Sequence, residues 1–216
     1  MEQVREWFAG SLAERAMEGL RRRGFEAVFA RDREEARRHI VEMVPPGATV
    51  GFAGVAGTIS LRELGILEAL RERGCRLLIS TDDSTPPDLL LQQRREALLA
   101  EVFISSTNAL TADGVLVNVD ALGNRVAAMI FGPKRVIVVA GVNKIVRTVD
   151  EALARVKHVA AVLNARRLNR QTPCASTGIC TDCDSPERIC RVTTIMERRP
   201  SRTEVCVVVV GESLGF

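Results

Sequence analysis

Tyrosine is absent from this chain, tryptophan occurs once (Trp7), and lysine occurs only at 134, 144 and 157. With seven Phe besides, the sequence offers few aromatic platforms on which unpaired bases could stack, which argues against a single-strand-binding module. The formal net charge of +3 is too small to point to nucleic acid as a partner. Long apolar runs are missing too. VIVVAG at 136–141 and VCVVVVG at 205–211 are far too short to span a bilayer. The first 24 residues lack the basic start, apolar centre and small-residue cleavage site of a secretory signal. The expected compartment is therefore the cytoplasm, where disulfides are rare. Histidine is confined to His39 and His158 on predicted helices, and neither stands near another motif. The serine-hydrolase signature G-x-S-x-G and the zincin signature H-E-x-x-H are both absent.

What remains is an apolar framework of alternating helices and strands. Amphipathic spacing predicts helices over 1–23, 32–44, 61–74, 87–100 and 149–168, and short β-rich runs separate them at 75–80, 101–110, 135–141 and 204–211. The strands are nearly continuous in apolar character, which fits a parallel sheet buried on both faces. The expected fold class is α/β, doubly wound and mostly parallel, over one domain spanning 1–216. The segments 115–119 and 125–131 flank a turn rich in Asp, Gly and Asn, and they read as an antiparallel pair. Asn118 and Asp120 alternate with apolar residues and should share one strand face.

Two places carry chemistry. The first is the run VGFAGVAGT at 50–58, a strand opening into a helix. Gly51, Gly54 and Gly57 would let a ligand approach the backbone, and Thr58 could cap the helix. The spacing is neither the dinucleotide fingerprint nor the P-loop. It suits a carboxylate or other anion, or simply a tight turn. The second is TPCASTGICTDCDSPERIC at 172–190, where Cys174, Cys180, Cys183 and Cys190 follow C-x5-C-x2-C-x6-C. Four thiolates suit a [4Fe-4S] cluster or tetrahedral zinc. The single C-x2-C with nearly symmetric outer cysteines is similar to the cluster loop of DNA-repair glycosylases and favours iron–sulfur, with disulfides or free thiols as the plain alternative. Cys75 and Cys206 fall at or inside strands and read as buried hydrophobes. The pair Asp82-Asp83 reads as capping or solvated rather than as a cation site.

Between these places, ALTADGVLVNVDALGNRVAAMIFGPKRVIVVAGVNKIV (109–146) sets Asn118, Asp120, Asn124, Arg125 and Lys144 among apolar strands, with Thr107 and Asn108 just before it. Together with PCASTGICTDCDSPERICR and the closing VVVVGESLGF, it resembles the LUD-domain, or lactate-utilisation, family over residues 10 to 216. The chain reads as a stand-alone member with a cysteine segment in place of the ferredoxin-like extension of larger members. The resemblance implies a Rossmann-like core related to the sugar-phosphate isomerase and CoA-transferase superfamily. It also implies an association with lactate oxidation through iron–sulfur redox partners. It supplies no catalytic residue. The wider superfamily keeps carboxylates and anion loops at strand ends, which maps loosely onto Asp120 and onto Gly54 to Thr58. The expectation is a pocket for a small carboxylate or phosphorylated metabolite. Asp120 is its candidate acid or base, and Gly51, Gly54, Gly57, Thr58, Thr107, Asn108, Asn118, Asn124, Arg125 and Lys144 are its candidate ligand contacts. An oxidoreductase component and a non-catalytic binding protein with structural zinc both remain open, as does a homo-oligomer.

Overall fold

The computed structural model describes all residues except 56–57 and 81–84. Gly57 and the Asp82-Asp83 pair therefore lie outside the described residues. Six strands form the main sheet: β1 (Glu26–Ala30), β2 (Thr49–Val55), β3 (Arg76–Ser80), β4 (Val102–Ser106), β7 (Arg135–Gly141) and β10 (Glu204–Val210). Their order is β1-β10-β7-β4-β2-β3, and every pairing is parallel. A second sheet of four short strands, β8-β5-β6-β9, is built from β5 (Ala109–Thr111), β6 (Leu116–Asp120), β8 (Ile145–Val146) and β9 (Val192–Met196).

The uninterrupted apolar runs are explained by the two cores. In β10, Val205, Val207 and Val209 face one core while Cys206, Val208 and Val210 face the other. In β7, Val136 and Val138 alternate in the same way with Ile137 and Val139. One face is covered by α1 (Glu2–Arg22) and α6 (Asn124–Ile130). The other is covered by α2 (Arg33–Met43), α3 (Ile59–Leu64) and α4 (Ile66–Glu72). At the edge of the sheet, α5 (Pro87–Glu96) packs against β3. In α1, the buried residues Ala13, Ala16, Met17 and Leu20 repeat at helical spacing and form the stripe that meets the sheet. In β10, desolvation pushes the Cys206 thiol up to about 12, and Cys75 is also buried. Both are inert packing residues, as expected.

Several elements differ from the sequence reading. The helix expected over 61–74 is broken at Gly65, whose left-handed φ of 61° separates α3 from α4. The expected strand 125–131 is the helix α6. The antiparallel partners of β6 are instead β5, reached through the Asp113-Gly114 turn, and β9 on its other side. Local β-propensity at Val126 and Ile130 is overridden by a cap: Asp120 Oδ2 accepts from the backbone N–H of Arg125 (3.1 Å) and of Val126 (3.3 Å). The strands β1 and β9 carry mixed burial and gave no clean alternation in the sequence. The long helix predicted over 149–168 is present as α7 (Val149–Arg155), one π-helical turn (Val156–Ala160) and α8 (Ala161–Arg167).

In chain order the main sheet runs from β2 outward to β3, then returns to place β4 on the other side of β2. The crevice at the carboxyl ends of β2 and β4 is therefore the topological switch point, where open α/β sheets take their ligands. Thr107 and Asn108, just after β4, border it.

Helix α1 rests on the β5–β6 turn through two glycines. A Cβ at Gly19 would overlap the Asp113 carbonyl, and one at Gly114 would overlap the backbone of Gly19. Gly19→Ala is expected to lower the free energy of unfolding by about 1–3 kcal/mol, read as a shift of the urea midpoint at constant slope.

Candidate functional site

Arg125 is the centre of the polar network at the strand ends. Its Nη1 donates to Ser106 O (2.9 Å) and Asn118 Oδ1 (2.8 Å). Its Nη2 donates to Asn108 Oδ1 (2.9 Å) and Val119 O (2.8 Å). Asp120 Oδ2 stands 4.0 Å from Nε. Burial holds the guanidinium below its ordinary pKa, and the Asp120 charge opposes that effect. Two asparagines complete the cage. Asn118 Oδ1 also accepts from Asn108 N, and Asn108 Oδ1 from Val119 N. Arg125 thus ties β4, β6 and α6 into one body, and four of its donor contacts are already spent inside the protein.

Lys144 is the other unusual cation. It follows β7, its residue is 3% exposed, and its Nζ donates to Ser60 Oγ at 2.9 Å. Among the described residues no carboxylate forms an ion pair with it. Burial, then the charges of Arg155 and Arg125, push its amine down to about 7, against an opposing pull from Glu63. Arg155, on α7, bridges two strand ends. Its Nε donates to Asn143 O (3.2 Å) and its Nη1 to Asn108 O. Burial lowers its pKa as well. Three cations therefore gather where β4 and β7 end. Of the two carboxylates near them, Asp120 caps α6, and exposed Glu63 accepts from Gly215 N at 2.9 Å.

Segment 211–216 folds across this end of the sheet. Leu214 N donates to Asn143 Oδ1 (3.0 Å), Asn143 Nδ2 donates to Gly215 O (3.1 Å), and Ser60 Oγ makes a longer bond to Leu214 O (3.4 Å). Gly141 permits the approach, since a Cβ there would meet Glu212 O and Leu214 N at 2.6 Å.

The sequence candidates divide accordingly. Asn108, Asn118, Asp120, Arg125 and Lys144 are brought to one end of the sheet. Thr107 is close by, but its hydroxyl is occupied by Ala109 O (2.8 Å) and Val117 O (3.3 Å). Asn124 opens α6 and takes no part in the network. Gly51 lies within β2, where a Cβ would stand 2.8 Å from Ala97 O, so packing accounts for it. Gly54 lies near the carboxyl end of β2. Thr58 precedes α3 but makes no side-chain cap. Among the described residues, two buried polar atoms here find no partner, Thr58 Oγ1 and Asn118 Nδ2. Such orphans are rare in proteins and call for a ligand or water. Ser60, Asn143 and Arg155 were not among the candidates. Ser60 lies two residues past the glycine run, and Arg155 is one arginine among many on charged helices, so neither carried a local signal.

The four cysteines lie apart from this end network. Cys174 is on α9 (Pro173–Thr177), and Cys180, Cys183 and Cys190 are in irregular chain. All four are partly exposed free thiols. Arg188 organises the loop by donating to Cys183 O (2.8 Å), Cys190 O (2.9 Å) and Asp182 Oδ1 (2.7 Å). Asp182, between the paired cysteines, adopts a left-handed φ of 51°. Among the described residues, no three Cys, His, Asp or Glu side chains are grouped as a metal-ligand set. None of the described helices is long and apolar enough to cross a membrane.

A family model described as the LUD domain matches residues 13–210. The solved structure of a DUF162-family protein from Deinococcus radiodurans superposes with a TM-score of 0.51 at 13% identity, covering 94% of this chain and 98% of that one. At that identity the likeness concerns the fold. No curated protein matches the sequence.

An amine whose pKa falls from 10.5 to about 7 on folding destabilises the folded state at neutral pH. Between those values the unfolded chain binds more protons, so this contribution to stability falls as pH drops toward 7 and is level below it. Lys144→Met is therefore expected to stabilise the protein, most strongly at and below pH about 7, with the gain fading as pH approaches about 10. Urea unfolding of both proteins across that range reads the effect.

Proposed function

The chain belongs to the LUD-domain family, and from that premise we propose that it binds a small carboxylate or phosphorylated metabolite at the carboxyl ends of β2, β4 and β7, in the service of lactate or hydroxy-acid utilisation. The observation that carries this reading is the buried Lys144, unpaired with any carboxylate among the described residues, beside Arg155 and Arg125. An anion placed there relieves the mutual repulsion of the three cations. Arg125 shapes the pocket rather than gripping the ligand, because its donors are occupied. Arg155 and Lys144 have donors to spare, and Thr58 Oγ1 and Asn118 Nδ2 are orphan groups able to donate. Asp120 is the acid or base of this reading. Its Oδ2 is held by two α6 amides, which fixes the carboxylate while leaving it capacity to accept a further proton or hydrogen bond.

The cysteine loop is the second part of the proposal. Four thiols without disulfides fit the donor set of a [4Fe-4S] cluster, and the loop has no apolar core of its own to oppose rearrangement. Binding would draw Cys174, Cys180, Cys183 and Cys190 together, as metal binding commonly couples to local folding. Bound there, a cluster would supply one-electron chemistry, and an iron–sulfur partner protein would be its exchange partner. The competing reading is a non-catalytic metabolite-binding protein with structural zinc. It is favoured by the structural employment of Arg125 and Asp120.

Two measurements test these parts separately. Isothermal titration with lactate, oxalate and inorganic phosphate is expected to show one-site binding to at least one anion. Arg155→Gln should weaken that binding about tenfold or more, in keeping with 1.5–3 kcal/mol for a charged hydrogen bond. The absence of binding by all three would sink the pocket. Anaerobic reconstitution should give about four irons and four sulfides per chain, with visible absorption lost in Cys183→Ser. One zinc per chain and no colour would select the structural-zinc reading.

A further inference from the structure

We infer that Lys144 is a reactive amine that condenses with the carbonyl group of a small oxo acid to form an imine. This rests on the anion pocket proposed above and names the chemistry within it. Surface lysines are held protonated by water and are poor nucleophiles. Lys144 has been taken out of water, has no ion-pair partner among the described residues, and stands among other cations. That combination is the recognised route to a nucleophilic lysine. The charged groups facing it are Arg155 from α7, Arg125 from α6 and Glu63 from α3. Two of the three disfavour its protonation.

Ser60 is the neighbour that chooses between two chemistries. A serine 2.9 Å from a buried lysine could in principle be an acylated nucleophile with the lysine as its base. The packing argues against that. Ser60 is 1% exposed, its hydroxyl faces Leu214 O, and a Cβ on Gly215 would stand 2.8 Å from Oγ. An acyl group on Oγ would keep Leu214 and Gly215 from closing back over it, whereas an adduct on Nζ leaves Oγ unsubstituted beneath them. The hydroxyl is instead a proton relay for the amine. Nζ adds to the carbonyl carbon, and the carbonyl π pair moves to oxygen, which takes up a proton. The nitrogen returns a proton through Ser60, water leaves, and a protonated imine remains. No oxidant or reductant is consumed. The carboxylate of the oxo acid is matched by Arg155. Because segment 211–216 lies over Ser60, the carbonyl gains access when Leu214 and Gly215 lift away from Asn143 and Glu63.

The chain is well suited to a direct test because it has only three lysines, and Lys134 and Lys157 are exposed. The full-length protein is treated with pyruvate or glyoxylate and sodium cyanoborohydride at pH 7, and adducts are mapped by peptide mass spectrometry. The expected result is labelling of Lys144 at a rate about 10²-fold or more above the other two, because an amine pushed down to about 7 is largely neutral at that pH. Its pH–rate profile should level off above about 7. Ser60→Ala should slow labelling of Lys144, and Lys144→Arg should give no adduct at position 144 while Lys134 and Lys157 are labelled as before. Equal labelling of all three lysines, or none at Lys144, overturns the inference. If pyruvate nevertheless binds by calorimetry, the anion pocket survives and only the imine is lost. If no anion binds either, both fall.

Discussion

A buried guanidinium must have its donors met or it destabilises the fold that contains it. Arg125 meets that requirement with two main-chain carbonyls and two asparagine side chains drawn from β4, the segment after it, and β6. The ends of β4 and β6 and the start of α6 are held by this one side chain. It fixes where β4 stops and how the smaller sheet leans on the main one, and with Asp120 it fixes where α6 begins. Removing the guanidinium would leave the two asparagine oxygens with only their main-chain donors and Ser106 O with only the Ser105 hydroxyl. A lysine could meet them only as a point charge, without the planar fork that reaches several acceptors at once.

Against that fully used cation stands one that is hardly used. Lys144 is buried and, among the described residues, has Ser60 as its one side-chain partner. Proteins commonly keep such locally unfavourable groups where function requires them. The two orphan polar atoms at Thr58 and Asn118 belong to the same pattern. A site that looks incompletely satisfied by its own protein is a site arranged for something else to complete it.

Much of the fold was legible in the sequence because parallel strands buried on both faces leave a continuous apolar record, as in 136–141 and 204–210. The reading failed where a distant side chain decided the outcome. Residues 124–130 became a helix through the Asp120 cap, and the edge strands β1 and β9, half exposed, left no periodic trace. The candidate site was half legible. Asn108, Asn118, Asp120, Arg125 and Lys144 stood out as polar residues among strands. Ser60 and Arg155 did not, because their meaning comes from what packs against them: a hydroxyl after a glycine run and an arginine on a charged helix look ordinary in one dimension. Gly51 carries the opposite case: within a motif that suggests a ligand loop or a tight turn, it stands where a Cβ would meet Ala97 O.

The π-helical turn at Val156–Ala160 has a mechanical meaning. Such a turn is equivalent to one residue inserted into a regular helix, and each residue turns the remainder of the helix by about 100° about its axis. Arg155, which grips the ends of two strands, lies immediately before it. Beyond it, α8 leads into the cysteine segment, and Arg166 donates to Ala175 O beside Cys174 at 3.3 Å. The turn is thus an angular spacer between Arg155 and the thiols. It sets the direction in which the cysteine loop leaves the domain relative to the strand ends that Arg155 grips, so these two chemically unrelated places share one rotational phase, carried by a single extra residue.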